Sequence, residues 1–301
     1  MNHYIVIDIG GTSIKHGILQ EDLQFAVTGE TPTQAQKGGS HILQTVLRQI
    51  AQYQAQYPVC GVCISTAGMV DTQRGVIVYA APLIPNYTGI AWKETIERKT
   101  GLPCEVENDV NCAGLSEYHI GAAKGAHIAL CITVGTGIGG CVLIDGTVLH
   151  GSGYSAGEVG HMQLDGREFQ KLAAASILVS QVAKKKDCST TALDGKRIFA
   201  MAKQGDADCI VAIDQMTEAL GCGLANLCYC LNPDIIVLGG GIMAEQDYLR
   251  PRIHKSLDDH LIPYVASHTS LAFAHNQNKA GMLGAYFHFM QKQKGGVSNA
   301  L

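Results

Sequence analysis

No stretch of this 301-residue chain reaches the 18 or more consecutive apolar residues of a membrane span, so no transmembrane helix is expected. Charge is scarce: charged residues make up 16% of the chain, the net charge is −4, and no basic stripe is sustained. A nucleic-acid backbone is therefore not the expected partner. Lys184-Lys185-Lys186 reads as a solvated surface patch. The start, Met1-Asn2-His3-Tyr4, lacks the charged head and apolar stretch of a signal peptide, which makes the cytoplasm the default location. A disulfide framework is missing too. The eleven cysteines are an odd number scattered through apolar stretches, as reduced core residues are. Cys60 and Cys63 form C-x-x-C, but "VCGVCIS" reads as a strand that points them to opposite faces. Cys228 and Cys230 fall in a helix, where they diverge by about 200°.

The chain is rich in apolar residues, at 47%, enough for two domains or one large one. "YIVIDIGG" reads as a buried strand running into glycines, and "TSIKHGIL" as a second strand. "SHILQTVLRQIAQY" is an amphipathic helix with Ser40 as candidate cap. "VCGVCIST" is a strand followed by "AGMVD" as a turn. A helix from Trp92 to Thr100 stops at Gly101, and "PCEVEND" is a strand ending on Glu107, Asn108 and Asp109. In the second half, a helix from about Asp214 to Leu231 carries Gly221 and Gly223, which implies close backbone packing. "DIIVLGGGI" is a buried strand, "AGMLGAYFHFMQKQ" a C-terminal helix, and "GGVSNAL" a frayed tail.

Gly135, Gly137 and Gly140 satisfy G-x-G-x-x-G, the dinucleotide fingerprint, but that motif needs a helix after it. Cys141-Val142-Leu143-Ile144 and then Asp145-Gly146 read instead as a strand closed by a turn, which puts the glycines at a hairpin tip. The strand–glycine–strand unit occurs twice, about 125 residues apart, and predicts two similar α/β halves sharing a cleft. Asp8-Ile9-Gly10-Gly11-Thr12, with Lys15 after it, and Gly135-Thr136-Gly137 could offer backbone N–H groups to phosphate where no side chain blocks approach. Tight turns alone would also use glycines. A carboxylate beside a phosphate loop implies an intervening cation, so Asp8 is the candidate Mg²⁺ residue, acting through water.

"DIGGT", "ENDVN", "TVGTGIGG", "GEVGHM" and "IVLGGGI", in that order over nearly the whole chain, resemble the ROK family of sugar kinases. The resemblance implies an α/β fold of two RNase H-like domains of the actin-like ATPase and hexokinase type, flanking a nucleotide and sugar cleft. The expected boundaries are 1–117 plus about 279–296 for the first domain and 118–278 for the second. It implies ATP contacts at Gly10, Gly11, Thr12, Gly135, Thr136 and Gly137 and near Gly239, Gly240 and Gly241. Asp109 matches the catalytic aspartate, the base for the acceptor hydroxyl, although an Asp there could instead cap a helix. Asn108, Glu158, His161, Ser65 and Gly68 match sugar-side positions. A small-molecule sugar is the implied partner, and a homodimer the implied assembly.

Departures from the family pattern bear on the substrate. The cysteines of the family's zinc loop are missing from "MQLDGREFQKLAAAS", so no zinc is expected and His161 is left as a sugar-contacting or supporting residue. The loop's closing glutamate, which meets the anomeric hydroxyl, aligns with Gln170, unless Glu168 takes its place. Leu83 stands where hexokinase-like relatives carry a sugar-contacting asparagine. These losses resemble the β-glucoside kinases; a glucokinase or N-acetylmannosamine kinase is the alternative. A sugar-responsive repressor would carry an added helix-turn-helix for which the sequence leaves no room. A chaperone-like ATPase would not carry "END" and "GEVGH".

Overall fold

The apolar run of the first strand, β1 (His3–Ile9), is buried on both faces because it lies inside a sheet. The computed structural model describes residues 2–298. β1 pairs antiparallel with β2 (Ser13–Gln20), which pairs antiparallel with β3 (Phe25–Pro32). On its other side β1 runs parallel to β4 (Val59–Thr66). The edge strand β3 alternates half-buried and exposed residues along its whole length, the period expected of a strand with one wet face. After β4 the chain turns back through β5 (Met69–Asp71) and β6 (Val76–Tyr79), an antiparallel ribbon. "AGMVD" is therefore a strand and not the expected turn. The reversal lies further on, where Asp71 Oδ1 accepts the amides of Gln73 and Arg74 at 3.0 and 3.1 Å. β7 (Cys104–Asn108) completes the order β3-β2-β1-β4-β7, parallel to β4.

Two helical layers cover this sheet. Ile42, Val46 and Ile50 of α1 (Gly39–Gln54) pack with Ile5, Ile7 and Ile9 on one face. Alternate residues of β1, Tyr4 and Val6, pack on the other face with Met282, Tyr286 and Phe289 of the C-terminal helix (Ala280–Ser298). Gly38, at φ +83°, caps α1 in place of the expected Ser40, which sits inside the first turn. α2 (Trp92–Thr100) ends at Gly101 in the left-handed conformation, as expected. α3 (Asp109–Ile120) starts directly from β7. Where the C-terminal helix crosses α3, a Cβ on Gly284 would lie 1.7 Å from the Cys112 carbonyl oxygen, so that contact requires glycine. The tail expected to fray is helical through Ser298, and residues 299–301 lie outside the described residues.

The second unit repeats the layout. β8 (Ile128–Val134) pairs antiparallel with β9 (Ile138–Ile144), which reverses at Asp145-Gly146 into β10 (Thr147–Val148). A two-residue hairpin, β11 (Gln163–Leu164) and β12 (Arg167–Glu168), follows. β8 runs parallel to β13 (Ile235–Gly239), and β13 to β14 (Ser270–Phe273), giving the order β10-β9-β8-β13-β14. Around this sheet pack α4 (Gln170–Ala173), α5 (Ala175–Lys185), α6 (Gly195–Lys203), α7 (Ala207–Leu231) and α8 (Gln246–His260). α7 begins seven residues before the expected Asp214, because Asp206 caps it by accepting the Cys209 amide at 3.0 Å. Its two glycines make room for Ser256 and Phe169, whose side chains would lie 2.2 and 2.5 Å from added Cβ atoms.

Unit 1 comprises Met1–His119, His150–Ser155 and Asn278–Leu301, and unit 2 comprises Ile120–Leu149 and Ala156–Gln277. The segment His150–Ser155, expected in the second domain, belongs to the first, because His150 bonds to Glu107. No helix among the described residues is long and apolar enough to cross a membrane. All eleven cysteines are free thiols; Cys60 is exposed and Cys63 buried, Cys228 buried and Cys230 exposed.

Candidate active site

In unit 1, β1 delivers Asp8 to the start of a short turn, Gly10-Gly11-Thr12, before β2. The turn is held through its carbonyls: Thr33 donates from its hydroxyl to Gly10 O at 2.7 Å and from its amide to Thr12 O at 2.9 Å. Among the described residues the amides of Gly11 and Thr12 donate to no protein acceptor. Gly11 has no left-handed φ, and nothing lies within 4 Å of where its Cβ would be. Neither backbone nor packing calls for glycine there. What its absence of side chain achieves is an uncovered amide.

The Asp8 carboxyl is raised by burial, an effect opposed by a 2.7 Å hydrogen bond from Ser65 and by the charge of Lys15. Gly281 lets the C-terminal helix approach, since a Cβ there would stand 2.5 Å from the carboxylate. Burial disfavours the charged form of this carboxyl and a nearby cation would favour it, so the residue fits a magnesium role. Ser65 is fully buried. Its hydroxyl serves Asp8.

At the end of β7, Asn108 and Asp109 enter α3. The capping role considered for Asp109 falls mainly to Asn108, whose Oδ1 accepts the amides of Val110 and Asn111 at 2.8 and 3.1 Å. Its Nδ2 donates to Gly68 O and to Asp109 Oδ1, both at 3.0 Å. Two donors and two acceptor sites are the full capacity of an amide, so a sugar hydroxyl could reach Asn108 only by replacing one of these bonds. Asp109 Oδ1 also accepts the Val110 amide at 2.9 Å, which fixes the plane of the carboxylate. Gly68 is required by its φ of +97°.

Beneath them lies Glu107. Its Oε1 accepts the Asn108 amide at 2.7 Å and Asn111 Nδ2 at 3.0 Å; its Oε2 meets His150 Nε2 at 2.7 Å and His288 Nδ1 at 3.4 Å. Burial would raise this carboxyl, but the His150 hydrogen bond, the two imidazoles and Asn111 hold it below the usual range. Reading "END" from sequence singled out its second and third residues and missed this group. Nothing in the spacing of His150 or His288 could have shown that both meet it.

In unit 2, β8 and β9 are joined by Gly135-Thr136-Gly137. The turn's carbonyls are again tied down: Gly135 O accepts the Ala175 amide at 3.0 Å, and Thr136 O accepts the Ser176 hydroxyl at 2.6 Å. Among the described residues the amides of Thr136 and Gly137 have no protein acceptor, and nothing lies within 4 Å of a Cβ placed on Gly135. Gly241 is equally unconstrained, whereas Gly240 is needed for its φ of +107° and because a Cβ there would lie 2.2 Å from Val134 O. Gly239 makes ordinary contacts. Gly140 lies outside the turn, inside β9. It donates to Gly157 O at 2.9 Å, and each of the two glycines would collide with the other's carbonyl if it carried a Cβ. That close approach fixes the segment carrying Glu158 and His161.

His161, Glu168 and Gln170 meet in this unit. Gln170 Nε2 donates to Glu168 Oε2 at 3.1 Å and reaches His161 Nδ1 at 3.4 Å, while the same His161 nitrogen lies 3.6 Å from Glu168 Oε1. The Glu168 carboxyl is lowered, first by the bond from Gln170 and then by His161. Gln170 Oε1 stands 2.8 Å from the Cβ position of Gly137, so the cluster borders the glycine turn. Between β11 and β12 the chain turns at Asp165-Gly166, with both residues at positive φ. Among the described residues no group of three or more His, Cys, Asp or Glu side chains is arranged to hold a metal ion.

Glycine turns with uncovered amides at matching positions of two like sheets, together with the carboxylate at the head of α3, can be set beside known proteins. The ROK family profile matches residues 4–292. The chain belongs to the ROK family. It is 46% identical over 291 residues to an uncharacterized protein of Clostridium perfringens, covering 97% of this chain and 99% of that one. It is 31% identical over 293 residues to the β-glucoside kinase of Klebsiella pneumoniae, covering 94% and 95%. A ROK glucokinase from Streptomyces griseus, solved with glucose and AMPPNP, superposes with a TM-score of 0.79 at 28% identity, covering 94% and 98%. The two sheets of this ROK chain are thus those of RNase H-like domains in an actin-like ATPase fold.

His288 gives the ROK chain a stability signature in pH. Burial pushes its imidazole down to about 4, against the charge of Glu107 and with Lys292, His150 and Lys93 adding to the fall. Unfolded, it titrates near 6.5, so between about 6.5 and 4 the unfolded state binds the extra proton and stability is lost as pH falls. The depressed Glu107 carboxyl makes its own loss below that window. Urea unfolding at pH 7 and pH 5 should show the wild type losing on the order of 2 kcal/mol more than His288→Phe over the same interval. Equal losses in the two proteins would refute the assignment.

Proposed function

We propose that this ROK chain is a cytoplasmic, ATP-dependent sugar kinase that phosphorylates the C6 hydroxyl of a β-glucoside. The observation that carries the reading is the set of glycines at the sheet turns, Gly11 and Gly135, which the fold does not require and which leave backbone amides without protein acceptors. Such amides suit the phosphates of ATP, with Thr12 and Thr136 adding hydroxyls and Gly241 a third unobstructed approach. Mg²⁺ held by Asp8 through water would neutralise phosphate charge. Lys15 is proposed to add positive charge on the same side.

The acceptor oxygen attacks the γ-phosphorus as its proton passes to the Asp109 carboxylate; the bond to the bridging oxygen breaks and ADP leaves. Asp109 suits this role because its Oδ1 is oriented by Val110 and Asn108. Asn108 is proposed to contact the sugar by exchanging its bond to Asp109 or Gly68 for one to a hydroxyl, so that substrate arrival adjusts the base. Glu158 and His161 are proposed to bind further sugar hydroxyls.

The β-glucoside preference is supported by the Glu168 cluster. A glycosidic oxygen carries no hydrogen, so a waiting carboxylate would go unpaired at roughly 1–3 kcal/mol. Here Gln170 donates to one oxygen of Glu168, and His161 lies 3.6 Å from the other. One oxygen of the carboxylate is therefore already paired within the protein. The same observation also sustains the second reading, a free hexose or N-acetylmannosamine, because Glu168 remains near His161 and could turn toward an anomeric hydroxyl. No zinc is proposed for either reading.

Asp109→Asn should lower kcat by about 10²–10⁴-fold while sugar KM stays within a few-fold; near-normal turnover rejects the base. Gly11→Ala and Gly135→Ala should melt like wild type yet raise the KM for ATP about ten-fold, whereas Gly240→Ala should unfold earlier. Unchanged ATP kinetics in the first two would remove the phosphate role of the turns. A coupled assay across cellobiose, salicin, glucose, mannose and N-acetylmannosamine, with the phosphorylated carbon located by NMR, should rank the glucosides first. Preference for a free sugar would select the second reading.

A further inference from the structure

Glu107 is a carboxylate with no exposed surface, one residue from Asn108 and two from Asp109. A buried charge persists only where donors surround it. Its two oxygens divide the work. Oε1 takes the Asn108 amide and Asn111 Nδ2, both at the root of α3. Oε2 takes groups from distant parts of the chain, His150 at 2.7 Å and His288 at 3.4 Å.

The two histidines are not equivalent. His288 is at the longer distance, and its Nε2 is buried with no hydrogen-bond partner. His150 makes the short bond and is partly open to solvent. It also begins the segment His150–Ser155, whose Tyr154 packs edge-on against the His150 ring. His150 is the segment's fastening to Glu107. If the short bond is lost, Oε2 keeps only the longer contact. The carboxylate must then rotate or take up a proton, and either change disturbs Oε1 and the Asn108 amide that it holds.

We propose that His150 is a positioning residue: by donating to Glu107 it holds the Asn108–Asp109 step of the chain in the orientation that proton abstraction needs. This rests on the reading of Asp109 as the base. The groups facing Glu107 are Asn111 and the Cys112 thiol of α3, His150, and His288 of the C-terminal helix. None of these besides His150 offers a second short bond to Oε2.

The experiment compares wild type, His150→Leu and His150→Gln in the full-length protein, with melting temperature as the folding control. The Gln variant retains a donor; the Leu variant does not. The titration of the Glu107 side-chain carboxyl is followed by carbon-13 NMR, a readout independent of any sugar. In His150→Leu its midpoint should rise by at least one pH unit, and the Asn108 amide resonance should move. The kcat should fall at least ten-fold with sugar KM within two-fold, and the acid limb of the kcat profile should shift to higher pH. His150→Gln should restore kcat to within about three-fold. An unmoved Glu107 titration, or a Gln variant as impaired as the Leu variant, overturns the proposal. If Glu107 shifts as expected but Asp109→Asn turns over normally, the positioning of the loop stands and the base reading fails.

Discussion

A carboxylate without solvent sets the terms for everything around the head of α3. Glu107 cannot remain ionised in the interior unless its oxygens are filled by donors, and the fold fills them from three directions. Because one donor is the backbone amide of Asn108, satisfying the charge also places the residue that caps α3. Because Asn108 then donates to Asp109, the same demand orients the proposed base. A local motif of three residues thereby becomes dependent on positions 150 and 288, far off in sequence. Replacing Glu107 with an apolar residue would leave the Asn108 amide and Asn111 Nδ2 without this acceptor.

A second constraint governs the turns. A strand that is parallel to one neighbour and antiparallel to another must reverse direction at its carboxyl end on one side only, and both sheets do so at glycines. In each turn protein donors fasten the carbonyls, which leaves amides as the exposed polarity. This arrangement has a preference for anions built into it before any side chain is considered. The glycines sort by reason. Gly240 is demanded by φ and by Val134, Gly140 by Gly157, and Gly11, Gly135 and Gly241 by neither.

Much of the fold could be read from sequence because periodicity and punctuation carry it. β4 and α2 occupy the expected residues, and the strand after Gly137 settles that no helix follows the G-x-G-x-x-G spacing. The misses have local causes. Asp206 outcompetes later residues as a cap, so α7 starts early; Gly38 reaches a backbone conformation that excludes Ser40 from the capping role; Asp71 anchors the turn further downstream, after β5. At the site, residue types were legible but their partners were not. The partner of Ser65 could not be read from sequence, because only the pairing of β1 with β4 puts it opposite Asp8. His150 carried no signal at all, since its meaning lies in a contact 43 residues away.

The Asp165-Gly166 hairpin bears on the proposed specificity in the same physical terms. A metal-clamped loop would hold its closing carboxylate by covalent geometry, whereas Asp165-Gly166 closes a turn by backbone conformation alone. What then orients Glu168 is the pair of donors beside it, Gln170 and His161. A carboxylate held by hydrogen bonds can exchange them. It can stay paired within the protein when the ligand offers no hydrogen, or give up one bond when the ligand offers a hydroxyl. In the proposed reading, substrate choice becomes a competition between Gln170 and the sugar for a single acceptor, and the side chain at position 170 is where that competition would be set.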